Sequence, residues 1–243
     1  MNDPSGRHEF ATTHWSLVVS ANLDEVSRTR AQMALEELCR AYWYPLYAFV
    51  RYRGHSPDDA QDLTQSFFTR IIEKGGFASA DPERGRFRSY LLGAMKHFLA
   101  NEWHRARAQK RGGGVAFLAL DALDPEARFA LEPAGTADPD AGFDREWAQE
   151  SIARALEKLR TESEARGKGE QFEGLKGSLT GEEQARSETA ARLGMTEGAV
   201  KVAVHRLRQR YRELLRAEIA ETVTSPSDVD VEMRHLVAVL RGE

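Results

Sequence analysis

The chain has a single cysteine, Cys39, in 243 residues, so it can build no internal disulfide framework. Its seven histidines are scattered, and no Cys/His cluster is spaced to hold zinc. His8-Glu9 lacks the second histidine of a metalloprotease helix. Gly112-Gly113-Gly114 precedes no Lys-Ser/Thr, so it is no phosphate-binding loop. No apolar run approaches the roughly 18 residues of a membrane span. Residues 1–10 carry charges and no apolar stretch, so no secretory leader is expected. No strand-like alternation and no internal repeat stands out. These absences point to a cytoplasmic, all-α protein with no catalytic residues, no metal and no cofactor.

What is present is helical patterning and segregated charge. The net charge of -4 conceals three blocks. Residues 84–111 hold eight Lys/Arg against Glu102, and residues 200–216 hold six against Glu213. Between them, residues 119–150 hold nine acids against Arg128 and Arg145. Such asymmetry says more about partners than the total does.

Leu35, Leu38, Cys39, Tyr42, Leu46 and Phe49 recur at three- and four-residue steps, which predicts a helix over about 29–52. Cys39 on that face reads as packed core, and Pro45 within it predicts a kink or a break. Ser56-Pro57 starts a second helix, about 57–74, with Ala60, Leu63, Phe67, Phe68 and Ile71 inward. Asp58, Asp59 and Asp62 on its other side read as a solvated or docking surface rather than a catalytic acid pair. A third long helix, about 86–110, is stopped by the glycine triplet. Residues 112–142 contain five Gly, three Pro and many acids, which predicts a tether with a short ordered patch around Phe117 to Leu123. Helical patterning resumes at Phe143. Residues 161–183 are polar, with Phe172, Leu175 and Leu179 as a weak amphipathic stretch. Helices follow at about 184–193 and 196–220, and a last one after Ser225-Pro226.

Two segments carry chemistry. In 188–208 a short helix with Ala190, Ala191 and Leu193 ends at Gly194, and Thr196 caps a new helix whose Val200, Val204, Leu207 and Tyr211 point inward. This is helix-turn-helix spacing, with Lys201, His205, Arg208 and Arg212 outward, as a helix entering the major groove requires. The bland alternative is a solvated basic helix. In 87–107, aromatics alternate with cations along one helix. Rings can stack on unpaired bases while Lys and Arg hold phosphates, although Tyr90, Leu91 and Phe98 are residues more often found in a core than as stacking platforms.

Three blocks in one order, Asp59-Ala60-Gln61-Asp62-Leu63-Thr64-Gln65-Ser66-Phe67-Phe68, then Phe87-Arg88-Ser89-Tyr90-Leu91, then the helix-turn-helix ending in residues 198–208, resemble the extracytoplasmic-function group of bacterial sigma factors, in the sigma-70 family. The resemblance covers about 31–111 and 146–216. It implies two helical domains joined by an acidic flexible linker: an extension over 1–30, a polymerase-binding and -10 promoter-melting domain over 31–111, the linker over 112–145, a -35-binding domain over 146–220 and a tail over 221–243. It implies core RNA polymerase and promoter DNA as partners. Asp59, Asp62, Gln65 and Arg70 would dock on the polymerase. Lys96, His97, Asn101, Trp103 and Arg105 would meet the -10 strand, and Thr196, Lys201, His205, Arg206 and Arg208 the -35 element. The linker's acidity would suit a nucleic-acid mimic that nascent RNA displaces.

Some features depart from the family plan. Lys96-His97 stands where the family commonly has Arg-Asn, residues 161–183 exceed the usual joint, and the tail is an addition. In the tail, Val229, Met233, Leu236, Val237 and Leu240 share a side, and a helix this short needs a partner for that side. The options are packing on the second domain, inhibition through the chain's own first domain or recognition helix, or a separate protein such as an anti-sigma factor. The alternative for the whole chain is a stand-alone helix-turn-helix regulator.

Overall fold

The computed structural model describes residues 25–73, 86–108, 124–131, 138–179, 186–223 and 225–242, side chains excepted at 25–28, 31–32, 73, 103–108 and 186. Among the described residues the regular elements are helices, with no strand, so the fold is all-α as the patterning predicts. In chain order they are α1 (Glu25–Tyr52), α2 (Pro57–Glu73), α3 (Phe87–Ala108), α4 (Pro125–Phe129), α5 (Pro139–Ala165), α6 (Gly169–Leu175), a 3-10 turn (Lys176–Leu179), α7 (Arg186–Leu193), α8 (Glu197–Ala220) and α9 (Pro226–Arg241). They group into two compact units. One comprises residues 1–150 with 219–243, and the other residues 151–218.

In the first unit α1 is the central element. Its expected face is buried, and residues 44–50 are buried all round. That burial explains why Pro45 does not break the helix: it removes one backbone donor, but packing on every side holds the turn. Cys39 lies in this core, where burial, with Glu36 nearby, pushes its thiol up to about 12, so it stays protonated and inert near neutrality. Phe67 of α2 meets Phe98 of α3 edge-on at 5.6 Å, and Tyr42 of α1 meets Phe87 at 4.9 Å.

The expected tether is partly helical, and the patch expected around Phe117 to Leu123 lies outside the described residues. Asp124 caps α4, accepting from the Glu126 N–H at 3.1 Å, and Asp138 caps α5, accepting from the Asp140 N–H at 3.0 Å. Each is followed by proline at the first helical position, the same start that Ser56-Pro57 and Ser225-Pro226 give α2 and α9. A five-residue helix is unstable alone, and α4 is held by side chains. Arg51 donates to both Glu126 oxygens at 2.9 and 2.8 Å, and the Tyr47 hydroxyl donates to Glu126 Oε2 at 2.7 Å. Arg128 lies 3.6 Å over the Tyr44 ring and donates to Glu150 at 3.0 Å. Gly142 then lets α5 rest directly on α1, since a Cβ there would stand 2.4 Å from the Tyr52 ring.

Arg88 joins three helices of this unit. Its Nε donates to Glu232 Oε2 of α9 at 3.1 Å, its Nη1 donates to Asp144 of α5, and its guanidinium stacks 4.8 Å over Trp147. Arg86 reaches Glu232 at 3.0 Å, and His235 reaches Asp144 at 3.0 Å. Burial opposes the Arg88 charge, but the Glu232 and Asp144 carboxylates outweigh it and hold the guanidinium above its ordinary range. Thr222 completes the joint by accepting from the Phe87 N–H at 3.2 Å, satisfying an amide in the first turn of α3.

The tail helix therefore packs within the first unit, through Val229, Leu236 and the wholly buried Glu232, while Val237 and Leu240 are exposed. The apolar side expected of it is only partly used, because Glu232 takes a place at the contact. Removing Glu232 takes from the buried Arg88 one of its two carboxylates and leaves Asp144 as the other, so the cost approaches the roughly 3–5 kcal/mol of breaking a buried pair. Glu232→Ala should lower unfolding stability by that order in urea titration, while Arg234→Ala on the exposed side should stay within about 0.5 kcal/mol.

Candidate functional sites

Ser56 and Asp59 at the start of α2 form a reciprocal cap. The Ser56 hydroxyl donates to Asp59 Oδ2 at 2.7 Å and accepts from the Asp59 N–H at 3.2 Å. Asp59 is thus exposed but partly committed to its own helix, whereas Asp62 is exposed on the next turn. Gln65 is half-buried. Arg70 is drawn towards α3, 3.5 Å from Glu102 and 6.0 Å over the Phe98 ring. Asp62 and Gln65 are left as the open part of the expected docking surface.

Along α3, Phe87, Leu91, Met95, Phe98 and Leu99 are buried, so most aromatics and aliphatics here are core. His97 is exposed and Asn101 half-buried. Lys96 donates to Asp140 in the first turn of α5. Trp103 and Arg105 lie on α3, but their side chains fall outside the described residues. Arg88, grouped by sequence with this helix's basic residues, belongs to the core joint.

In the second unit Ala190, Val200 and Leu175 form the centre of a small core, with Leu193, Met195, Ala203, Val204 and Leu207 against it. The turn is built as expected. Gly194 adopts φ +61, the Met195 N–H returns to the Ala190 carbonyl at 2.9 Å, and Thr196 Oγ1 accepts from the Ala199 N–H at 3.2 Å. The stretch 161–179 supplies the third wall through Phe172 and Leu175 of α6. Arg192 donates to the Gly174 carbonyl at 2.8 Å, fastening α7 to α6.

Lys201, His205, Arg206 and Arg212 are exposed on α8. Arg208 is exposed too, but its guanidinium donates to the Ser178 carbonyl at 3.2 and 2.8 Å. Arg210 is engaged by Glu162 and Glu213, which hold it above its ordinary range. The Arg208–Ser178 and Arg210–Glu162 contacts were not legible from spacing, because those partners lie 30 and 48 residues away. Among the described residues no cluster of His, Cys, Asp and Glu could hold a metal ion, and no helix is long and apolar enough to cross a membrane.

Residues 38–109 match the family described as sigma-70 region 2. The match spans α1 from Leu38, the whole of α2 and α3, and less than a third of the chain. No curated protein and no solved structure matches the chain.

The turn of the second unit rests on Gly194 for a purely conformational reason, since a Cβ there would meet nothing within 4 Å. Gly194→Ala should therefore cost about 1–2 kcal/mol, the penalty of a left-handed L-residue. Thermal unfolding should show that loss, and Gly198→Ala, also open but without positive φ, should be neutral or stabilising.

Proposed function

We propose that the chain is a sigma factor of the extracytoplasmic-function group, which binds core RNA polymerase and directs promoter-specific initiation. One observation carries the reading: a segment similar to sigma-70 region 2 stands in the same chain as a compact helix-turn-helix unit with an exposed basic helix. Region 2 supplies polymerase docking and -10 recognition, and the helix-turn-helix supplies -35 binding.

In this division of labour Asp62 and Gln65, with Asp59 and Arg70 beside them, form the polymerase-facing surface of α2. Lys96, His97 and Asn101 of α3, continuing to Trp103 and Arg105, meet the -10 strand. Lys and Asn side chains suit that task, one as a phosphate cation and one as a hydrogen-bonding partner for a base edge. Thr196 sits at the N-terminus of α8, where free amides and the helix dipole favour a phosphate. Lys201, His205 and Arg206 follow on the groove side. Arg208, tied to Ser178, orients the helix against its support unless DNA competes for it.

Asp62→Lys with Gln65→Lys should abolish capture of core polymerase while leaving circular dichroism unchanged. Undiminished pull-down by a folded double variant would refute the docking assignment. For α8, Arg206→Ala should weaken -35 DNA binding by about 1–3 kcal/mol and relax one position if it reads a base. Lys201→Ala, a phosphate contact, should weaken all sequences alike and flatten the salt dependence. Reconstitution with core polymerase on a promoter library decides the whole reading. Promoter-specific run-off that requires this chain supports it, and operator binding without polymerase association supports the stand-alone regulator instead.

A further inference from the structure

The acidic segment before Phe143 does more than connect. Asp140 and Asp144 lie one helical turn apart at the start of α5, and each faces a cation of α3: Asp140 receives Lys96, and Asp144 receives Arg88. The pairing runs in opposite chain order, so the first turns of α5 lie along the helix whose cations would meet the promoter strand. The two pairs differ in kind. The Arg88 side chain is 8% exposed and is also held by Glu232, so this pair is architecture. Lys96 and Asp140 are 41% and 46% exposed, so theirs is a contact that solvent and ions reach. An exposed pair contributes little to stability, and it is readily exchanged for another anion.

Asp140 is nevertheless presented at a fixed place. Gly142 seats α5 on the Tyr52 ring, Arg88 anchors Asp144, and Arg128 joins α4 to Glu150. A carboxylate so tethered acts at high effective concentration and need not bind tightly to occupy its site. His97, one residue on, remains exposed.

We infer that Asp140 is an internal stand-in for a DNA phosphate. In the free protein it occupies Lys96 and so lowers the affinity of α3 for single-stranded DNA, which must displace it. On this reading an inhibitory group lies at the start of α5. The tail helix, through Glu232 and Arg88, keeps α3 and α5 together. This rests on the promoter-strand role proposed for α3, but its test does not need a promoter.

The test uses the full chain and a fluorescent oligothymidylate, with affinity read by anisotropy across a salt series. Asp140→Asn should bind about three- to tenfold more tightly at low salt, with a log-log salt slope steeper by about 0.7, the value for one additional phosphate contact on a single strand. Asp58→Asn removes the same charge from the exposed start of α2 and should leave the slope unchanged. Adding Lys96→Ala to Asp140→Asn should cancel the gain. Equal effects from Asp140→Asn and Asp58→Asn, or a gain that survives Lys96→Ala, would overturn the inference. Promoter run-off with core polymerase is scored separately. Its absence in the wild type removes the sigma-factor reading, whereas normal run-off with no anisotropy gain in Asp140→Asn removes only the masking.

Discussion

A buried guanidinium organises the first unit. Arg88 sits in the opening turn of α3, almost out of solvent, and a cation there is tolerable only if it is paired and hydrogen-bonded. Its partners come from Asp144 and Glu232, 56 and 144 residues further along the chain, with Trp147 covering the remaining face. The need to pair one charge thus fixes where α5 begins its course and where the tail ends up. It also explains why a helix with apolar positions at Val229 and Leu236 buries a glutamate between them. Once Glu232 is in place, Arg86 and His235 extend the network at its edges. A network of this kind offers little net stability over an apolar core, but it penalises every arrangement in which one member is left alone.

The same logic governs the charge blocks. The acidic stretch is not a uniformly solvated tether where it is described. Asp124 and Asp138 cap helices, Glu126 holds Arg51, Glu150 holds Arg128, and Asp140 and Asp144 answer the basic helix. Glu126 shows the balance. The hydrogen bond from Arg51 lowers its carboxyl below the ordinary range against some desolvation, with Tyr47 assisting. Since the folded value lies below the unfolded one, that contribution is present above the ordinary carboxylate range. It is lost as pH falls through the lowered value. An acidic segment facing a basic one in the same chain therefore spends part of its charge internally, and the net value of -4 says little about the surface offered to a partner.

Sequence reasoning succeeded where the cause was local and faltered where it was distant. Three- and four-residue spacing placed the core of α1 and, at Ala60, Phe67 and Phe68, of α2, and the cap, glycine and apolar steps placed the turn between α7 and α8. Ser-Pro starts were recognised at Ser56 and Ser225. Asp124-Pro125 and Asp138-Pro139 carry the same chemistry, with a carboxylate as cap and proline first. They were read as tether because glycine and acid composition around them outweighed the local signal. At Pro45 a break was one of the two expected outcomes, and it does not occur: the helix continues through a stretch buried on all sides. Arg88, Lys96 and Arg208 were read among the basic residues open to a partner, since nothing near them in the chain announces the carboxylates and carbonyls that engage them.

The two basic helices end up prepared in different ways. On α8 Lys201, His205 and Arg206 face solvent, while Arg208 is tied to the Ser178 carbonyl on the segment that also supplies Leu175 to the core. Under the proposed function Lys201, His205 and Arg206 would meet a groove as they stand, whereas Arg208 would first leave the Ser178 carbonyl. On α3 Lys96 is already matched by the Asp140 carboxylate, so under the proposed function a strand would exchange one anion for another. A helix whose partner is a duplex can remain open, because groove geometry and base edges provide discrimination. A helix that grips unpaired strand through charge and stacking has weaker sequence discrimination of its own. On the proposed function, an internal anion at Lys96 would restrain that sequence-tolerant grip and leave selection to the helix proposed to read duplex.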